Sequence, residues 1–299
     1  MTFEKFASTD GGMKARPCFI PAVETIIMQA LETIDLYCTD NRDKFLDLYY
    51  DTIMSCKNNK LIGLNGYKHK TYVHGTTQAF DAFHLKHHRK KIRVLPGEFA
   101  YHRISGRSYD LQFEEITEHR PLTSGDAFIL SIPFSASCDV PENYEQLMQV
   151  CCNEEIPVLL DFAYLGIAKG ININIEYECI QEICFSLSKA YFGSERFRIG
   201  MRIRRSFIDD PIDFANEFNM YNLAGGHVGI NLLQEIPPST IYEILEIHAN
   251  RLCNKYRFKR NKTCIFGSIP QKHEMYETYK RGSSKYSRIC LSDMIDLSN

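Results

Sequence analysis

Pro157-Val158-Leu159-Leu160-Asp161-Phe162-Ala163-Tyr164-Leu165-Gly166 begins as an apolar run of strand character and ends on a carboxylate and a phenol only three residues apart. Short apolar runs bounded by turn residues read as strands buried on both faces. In open α/β sheets the carboxyl ends of such strands are where ligands bind. Twenty-eight residues beyond Asp161 comes a second such run, whose end reads Ser186-Leu187-Ser188-Lys189. It delivers a lysine between small hydroxyl groups, and Arg198-Ile199-Gly200 follows. Taken singly, Asp161 reads as a helix cap, Tyr164 as core packing and Lys189 as a surface residue. Together, a lysine at a strand end, flanking hydroxyls and an arginine able to grip a phosphate are the parts of a Schiff-base site.

Outward from these stretches, strands and helices alternate. Upstream, helical spacing of apolar residues marks Val23 to Ile34 and Phe45 to Met54, and a helical pattern from Thr77 to Lys91 leads into a strand from Ile92 to Leu95. Strands are expected at Ala127 to Ile132, Pro157 to Leu160, Ile180 to Leu187 and Phe197 to Ile203, with a helix at Asn143 to Asn153. This alternation implies an α/β fold, a mostly parallel sheet sandwiched by helices. After Asp209-Asp210-Pro211 the pattern changes to helices at Asp213 to Leu223 and Thr240 to Tyr256 and late strands near Cys264 to Phe266 and Arg288 to Leu291, a small α+β C-terminal domain. The division is therefore an N-terminal arm and helix joining the small domain (1–44), a large domain (45–210) and the small C-terminal domain (211–299).

Composition narrows the function. The 299 residues are 44% hydrophobic and 24% charged, with no apolar run near the roughly 18 residues of a membrane span. A formal charge of −2 supplies no general field for nucleic acid or acidic membranes. The 11 cysteines are scattered, without a C-x-x-C pair, and read as reduced thiols of a cytoplasmic protein. Residues 1–15 lack the apolar core of a signal peptide. His84, His87 and His88 have helical spacing, but in their Lys/Arg-rich stretch they read as a solvated helix face, and no metal is expected. No G-x-x-x-x-G-K-[ST] loop argues for a nucleotide.

In this order along the chain the motifs resemble the class I/II aminotransferases, the fold-type-I pyridoxal-phosphate enzymes, of which this would be a short member. The resemblance implies a cofactor, pyridoxal 5′-phosphate, held as a Schiff base by Lys189. Gly75-Thr76-Thr77 corresponds to the phosphate-cradling turn at a helix start, where N–H groups and the helix dipole favour an anion. Ser135, in Ser131-Ile132-Pro133-Phe134-Ser135, takes the place of the family's asparagine beside the cofactor's phenolic oxygen, a departure from the usual pattern. Asp161 corresponds to the carboxylate under the pyridine nitrogen and Tyr164 to the phenol sharing that oxygen. Ser186 and Arg198 correspond to phosphate ligands, with Arg196 the alternative to Arg198. Arg288 corresponds to the arginine that takes the substrate α-carboxylate through a two-pronged hydrogen bond.

The usual stacking aromatic is replaced by Glu98, leaving Phe99 as the candidate and Tyr101 next to it. Lys189, Asp161 and Tyr164 are then the catalytic set, and residues 45–210 the cofactor-binding domain. The implied activity is transamination between an amino acid and a 2-oxo acid; elimination, cyclisation, decarboxylation or racemisation on the same cofactor is the alternative, and a non-catalytic descendant is a further one. A homodimer with the site at its interface is expected, with Tyr37 reaching toward the partner's phosphate. Glu98, His102, Arg103 and Arg107 lie in the loop expected to meet the substrate side chain, where Glu98 would suit a basic group.

Overall fold

The computed structural model describes residues 12–297 other than 36 and 39; most of residues 1–15, read as lacking the apolar core of a signal peptide, thus falls outside the described residues. Runs of β-branched and aromatic residues form a seven-stranded sheet: β1 (Lys60–Ile62) stands apart, while β2 (His69–His74), β3 (Lys91–Val94), β4 (Phe113–Glu115), β5 (Asp126–Ser131) and β6 (Val158–Asp161) join the main sheet. A short β7 (Asn172–Asn174) pairs with β1, and β8 (Ile180–Ser186) and β9 (Ile199–Arg204) complete the main sheet in the order β2-β9-β8-β6-β5-β3-β4. β4, β3, β5, β6 and β8 are parallel, and β9 alone runs antiparallel, between β8 and β2.

Side-chain alternation explains why both faces are covered. Ala127, Ile129, Leu159 and Cys184 face one apolar cluster with Phe80 and Phe83, residues of α3 (Thr76–Lys86). Their neighbours Phe128, Leu130, Leu160 and Phe185 face the larger cluster. That side is covered by α1 (Pro21–Glu32), α2 (Asn41–Met54) and, past α4 (Tyr101–Ser108), α5 (Tyr144–Asn153), through Val23, Phe45 and Met148. The expected mostly parallel sheet between helices is what forms.

After a four-residue turn of helix, α6 (Leu187–Ala190), come α7 (Pro211–Glu217), α8 (Leu223–Glu235) and α9 (Pro238–Tyr256). α7 starts on a capping box in which the Asp210 side chain accepts from the N–H of Ile212 and Asp213. The helix expected over Asp213 to Leu223 is instead this short helix followed by a break and α8. Glycines hid α8 from the sequence pattern: a methyl on Gly229 would lie 2.7 Å from the Phe45 ring, and one on Gly225 would lie 2.5 Å from the Tyr72 hydroxyl. They mark close packing of α8 on α2 and the sheet. The chain closes with a three-stranded antiparallel sheet of β10 (Lys259–Arg260), β11 (Phe266–Ser268) and β12 (Arg288–Cys290).

The histidine reading is corrected for His84, which is fully buried against His102 with its Nδ1 3.0 Å from the Ser105 hydroxyl, so it belongs to the core of the α3–α4 pair; His87 is half-buried and His88 exposed. Among the described residues no group of His, Cys, Asp and Glu could hold a metal, and no helix is long and apolar enough to cross a membrane.

Candidate active site

The parallel strands all end at one edge, and the chemistry-bearing residues collect there. Register sets their order: Ser131 at the end of β5 pairs with Asp161 at the end of β6, Asp161 with Cys184 of β8, and Ser186 with Gly200 of β9. β9 then pairs Ile199 with His74, the last residue of β2, so Gly75 and the start of α3 lie beyond the same edge.

Asp161 is buried. The described hydrogen bonds to its carboxylate, from the Ala163 N–H at 2.9 Å and the Cys184 thiol at 3.7 Å, both reach Oδ1, and among the described residues no ion pair reaches it. Burial pushes its pKa up to about 7 against the pull of these donors; nearby Glu98 adds to the rise and Lys189 opposes it. A carboxylate so placed lacks a cation.

Lys189 sits on α6, one short turn past the end of β8, rather than on the strand itself. Its Nζ lies 5.8 Å from the centre of the Tyr164 ring. Burial lowers its pKa, with Glu195 and Asp161 pulling the other way and Arg198 adding to the fall. Tyr164, packed edge-on to Phe266, is raised by burial and keeps its proton. Ser188 fixes α6: its hydroxyl donates to the Ser194 carbonyl at 3.2 Å and accepts from the Ile199 N–H at 3.3 Å.

At the other end, Gly75 caps α3 with φ +75°, and no side chain caps the helix's first turn. A methyl on Gly75 would lie 2.5 Å from Arg198 Nη2, and that nitrogen donates to the Thr77 hydroxyl at 3.0 Å. Arg198 itself is held in the left-handed region at φ +52°, an uncommon conformation for a side-chain-bearing residue. Its loop is tied by the Tyr72 hydroxyl to the Arg198 carbonyl and by Asn222 Nδ2 to the Phe197 carbonyl. Thus Gly75, Thr77 and Arg198 meet, Thr76 is buried beside them, and Ser186 ends the strand next to β9; Arg196 and Arg198 are both exposed.

Arg288, on β12, is buried with its guanidinium 4.0 Å above the Phe266 ring, and Nη1 donates to the Ser135 carbonyl. Ser135 therefore meets Arg288 through its backbone. Phe99 is partly exposed and stacked on Tyr101, with centroids 6.0 Å apart and planes 15° apart. It lines a cleft of about 150 Å³ together with Glu98, Arg103, Glu115 and Arg281. Asp161, Tyr164 and Lys189 do not line that cleft.

Glu98 is not free for a substrate. Its oxygens accept from the Ser131 N–H at 2.9 Å, the Ser131 hydroxyl at 2.5 Å and the Phe99 N–H at 2.8 Å, so the idea that it reads a basic side chain gives way to a structural one. His102 is likewise buried in the α3–α4 contact, and Tyr37 is almost wholly exposed. Sequence reasoning missed Arg281, which stands on a loop without periodicity seven residues before Arg288.

No protein-family model matches the chain, and no curated protein matches it in sequence. Solved structures do match in fold. An aminotransferase from Staphylococcus aureus superposes with TM-score 0.66 at 14% identity, over 93% of this chain and 88% of that one. A PLP-bound protein from Clostridium difficile, described as an aminotransferase, gives TM-score 0.65 at 14% identity over 97% and 90%. Tyrosine aminotransferase from Leishmania infantum gives 0.63 at 13% over 93% and 87%. The chain has the aminotransferase-like fold.

Proposed function

We propose that the protein is a pyridoxal-phosphate-dependent aminotransferase that moves nitrogen between an amino acid and a 2-oxo acid. The observation that carries the reading is Asp161, a buried carboxylate without a cationic partner, set at the same sheet edge as a half-buried lysine with a lowered pKa. The residues fit the cofactor at each end. Gly75, Thr76, Thr77, Ser186 and Arg198 would hold its phosphate, where the start of α3 and one guanidinium face an anion. Asp161 would face its ring nitrogen, and Ser135, Tyr164 and Phe99 stand for the ring surroundings.

When bound, pyridoxal phosphate supplies a conjugated system that accepts the electrons released as a bond to the substrate Cα breaks. The protein's own groups direct that chemistry. Asp161 would hold a proton on the ring nitrogen, because an ionised carboxylate beside it would raise that nitrogen's pKa. Lys189 would be the residue that holds the cofactor's aldehyde, and its amine would be the base that takes the proton from the substrate Cα. A lysine with a lowered pKa is suited to that role, since a larger fraction is neutral near pH 7. Tyr164 keeps its proton and would donate it in a hydrogen bond to the cofactor's ring oxygen. Arg288 orients the α-carboxylate with the edge of its guanidinium that Ser135 leaves open, which fixes rotation about N–Cα.

A homodimer and a cytoplasmic setting accord with this reading; all 11 cysteines are free thiols. The test is spectroscopic. The protein incubated with pyridoxal phosphate should acquire the visible band of a lysine-bound cofactor, Lys189→Ala should lose it, and amino donors should convert it to the pyridoxamine form. A wild-type protein that gains no band would sink the proposal.

A further inference from the structure

The edge of the sheet away from Asp161 and Lys189 holds two thiols in contact. Cys152 stands on the last turn of α5 and Cys179 just ahead of β8, and their sulfurs lie 3.1 Å apart. The Cys179 carbonyl accepts from the Val158 N–H at 2.8 Å, which places the pair at the amino ends of β6 and β8. A disulfide holds its sulfurs about 2.05 Å apart, so bonding these two asks for an approach of about 1 Å, within reach of small side-chain torsions.

Packing fixes the two elements against each other. The Tyr144 hydroxyl of α5 donates to the Asn174 carbonyl at 2.8 Å, the Tyr177 hydroxyl bonds Glu145 of α5, and the Cys179 thiol donates to the Met148 carbonyl at 3.5 Å. The stretch from Asn174 to Cys179 is therefore tied to α5 from the first residue of the helix to its last turn. The thiols differ in access: Cys152 is partly exposed, and Cys179 is buried, which pushes its pKa up. Adjacent Cys151 faces the core, where burial pushes its thiol up to about 12 and leaves it inert.

We propose that Cys152 and Cys179 form a redox-modification site, which a small-molecule disulfide such as oxidised glutathione converts into an intramolecular disulfide stapling α5 to the start of β8. The Cys152 thiolate attacks one glutathione sulfur, forming a mixed disulfide and releasing a glutathione thiolate that takes up the proton Cys152 lost. The Cys179 thiolate then attacks the Cys152 sulfur, the protein disulfide forms, and the second glutathione leaves with the Cys179 proton. Two protein thiols are oxidised and one small disulfide is reduced to two thiols. In a reducing compartment a bond of this kind forms only when oxidant rises, which makes it a sensor.

The experiment is peptide mapping by mass spectrometry of the full chain, equilibrated in glutathione redox buffers and then alkylated. A cross-linked pair of peptides carrying Cys152 and Cys179, about 2 Da lighter than the two free thiols, should appear. Cys152→Ser and Cys179→Ser should each abolish it, whereas Cys151→Ser should leave it. Because the fold brings the sulfurs together, half-oxidation in concentrated urea should need a buffer more than about tenfold more oxidising than in the native protein. Circular dichroism identifies any variant that fails to fold; the wild-type map decides the matter without it. Glutathione retained on Cys152 without the cross-link overturns the proposal, as does a Cys151–Cys152 bond, a pair that stays reduced, or one no easier to oxidise folded than in urea. No cofactor enters this test, so its failure and that of the aminotransferase reading are separate.

Discussion

Asp161 gives the site its sharpest pH signature. Its folded pKa of about 7 stands above the carboxylate value of about 4 in an unfolded chain. Between those values the folded protein holds a proton that the unfolded chain has released, so this residue lowers stability as pH rises from about 4 to about 7. The three-unit difference caps the effect at about 4 kcal/mol. Asp161→Asn, which cannot ionise, should lose this downward slope in urea midpoints measured from pH 4 to 8; an unchanged slope would show that the charge is compensated in the fold. At this scale the sequence displayed Asp161, Lys189 and Arg288 because the first two close recognisable apolar runs and the third opens one. Arg281 and the inward turn of Glu98 were hidden, since both depend on which loop folds over which strand end.

The elements carrying these groups are packed without slack. Gly166 lies just past the Asp161 strand end, and a methyl there would sit 2.5 Å from Ala190 Cβ and 3.2 Å from Ala190 Cα, on the turn that bears Lys189. Gly166→Ala should therefore push α6 outward. The expected result is a loss of about 1–3 kcal/mol in chemical denaturation, the usual cost of overpacking, with weaker uptake of pyridoxal phosphate. Unaltered stability and uptake would mean that α6 yields at no cost. Elements with strong apolar patterns, such as β5, β6 and β8, were legible from sequence to within a residue or two. β2, with histidines at both ends, and α8, with its packing glycines, were not, because tertiary contact rather than local preference decides them.

For the molecule as a whole, acid stability rests on a buried charge network beneath the sheet. Arg202 meets Asp210 at 2.5 and 2.9 Å and Asp213 at 3.3 Å, Arg204 also bonds Asp213, and His69 lies 2.9 Å from it. Burial alone would raise the Asp213 pKa, but hydrogen bonds from Arg204 and His69 hold it down to about 2. A depressed carboxylate stabilises above the unfolded value, and this contribution is lost as pH falls from about 4 toward about 2. Asp213→Ala leaves two buried arginines short of a partner and should cost about 3–5 kcal/mol at neutral pH, read from thermal or urea unfolding; a cost under about 1 kcal/mol would place the network's weight on Asp210 instead.

The single antiparallel strand, β9, begins one residue after Arg198 and lies between β8, whose end leads into the turn that bears Lys189, and β2, which leads into Gly75. During ribosomal synthesis, therefore, the two strands it joins stay unconnected within the sheet until about residue 204 has left the exit tunnel and β9 has slotted between partners encoded far earlier. A nascent chain halted upstream of that point lacks the strand that joins the two, so under the proposed function loading of the vitamin-derived ligand should follow completion of the sheet.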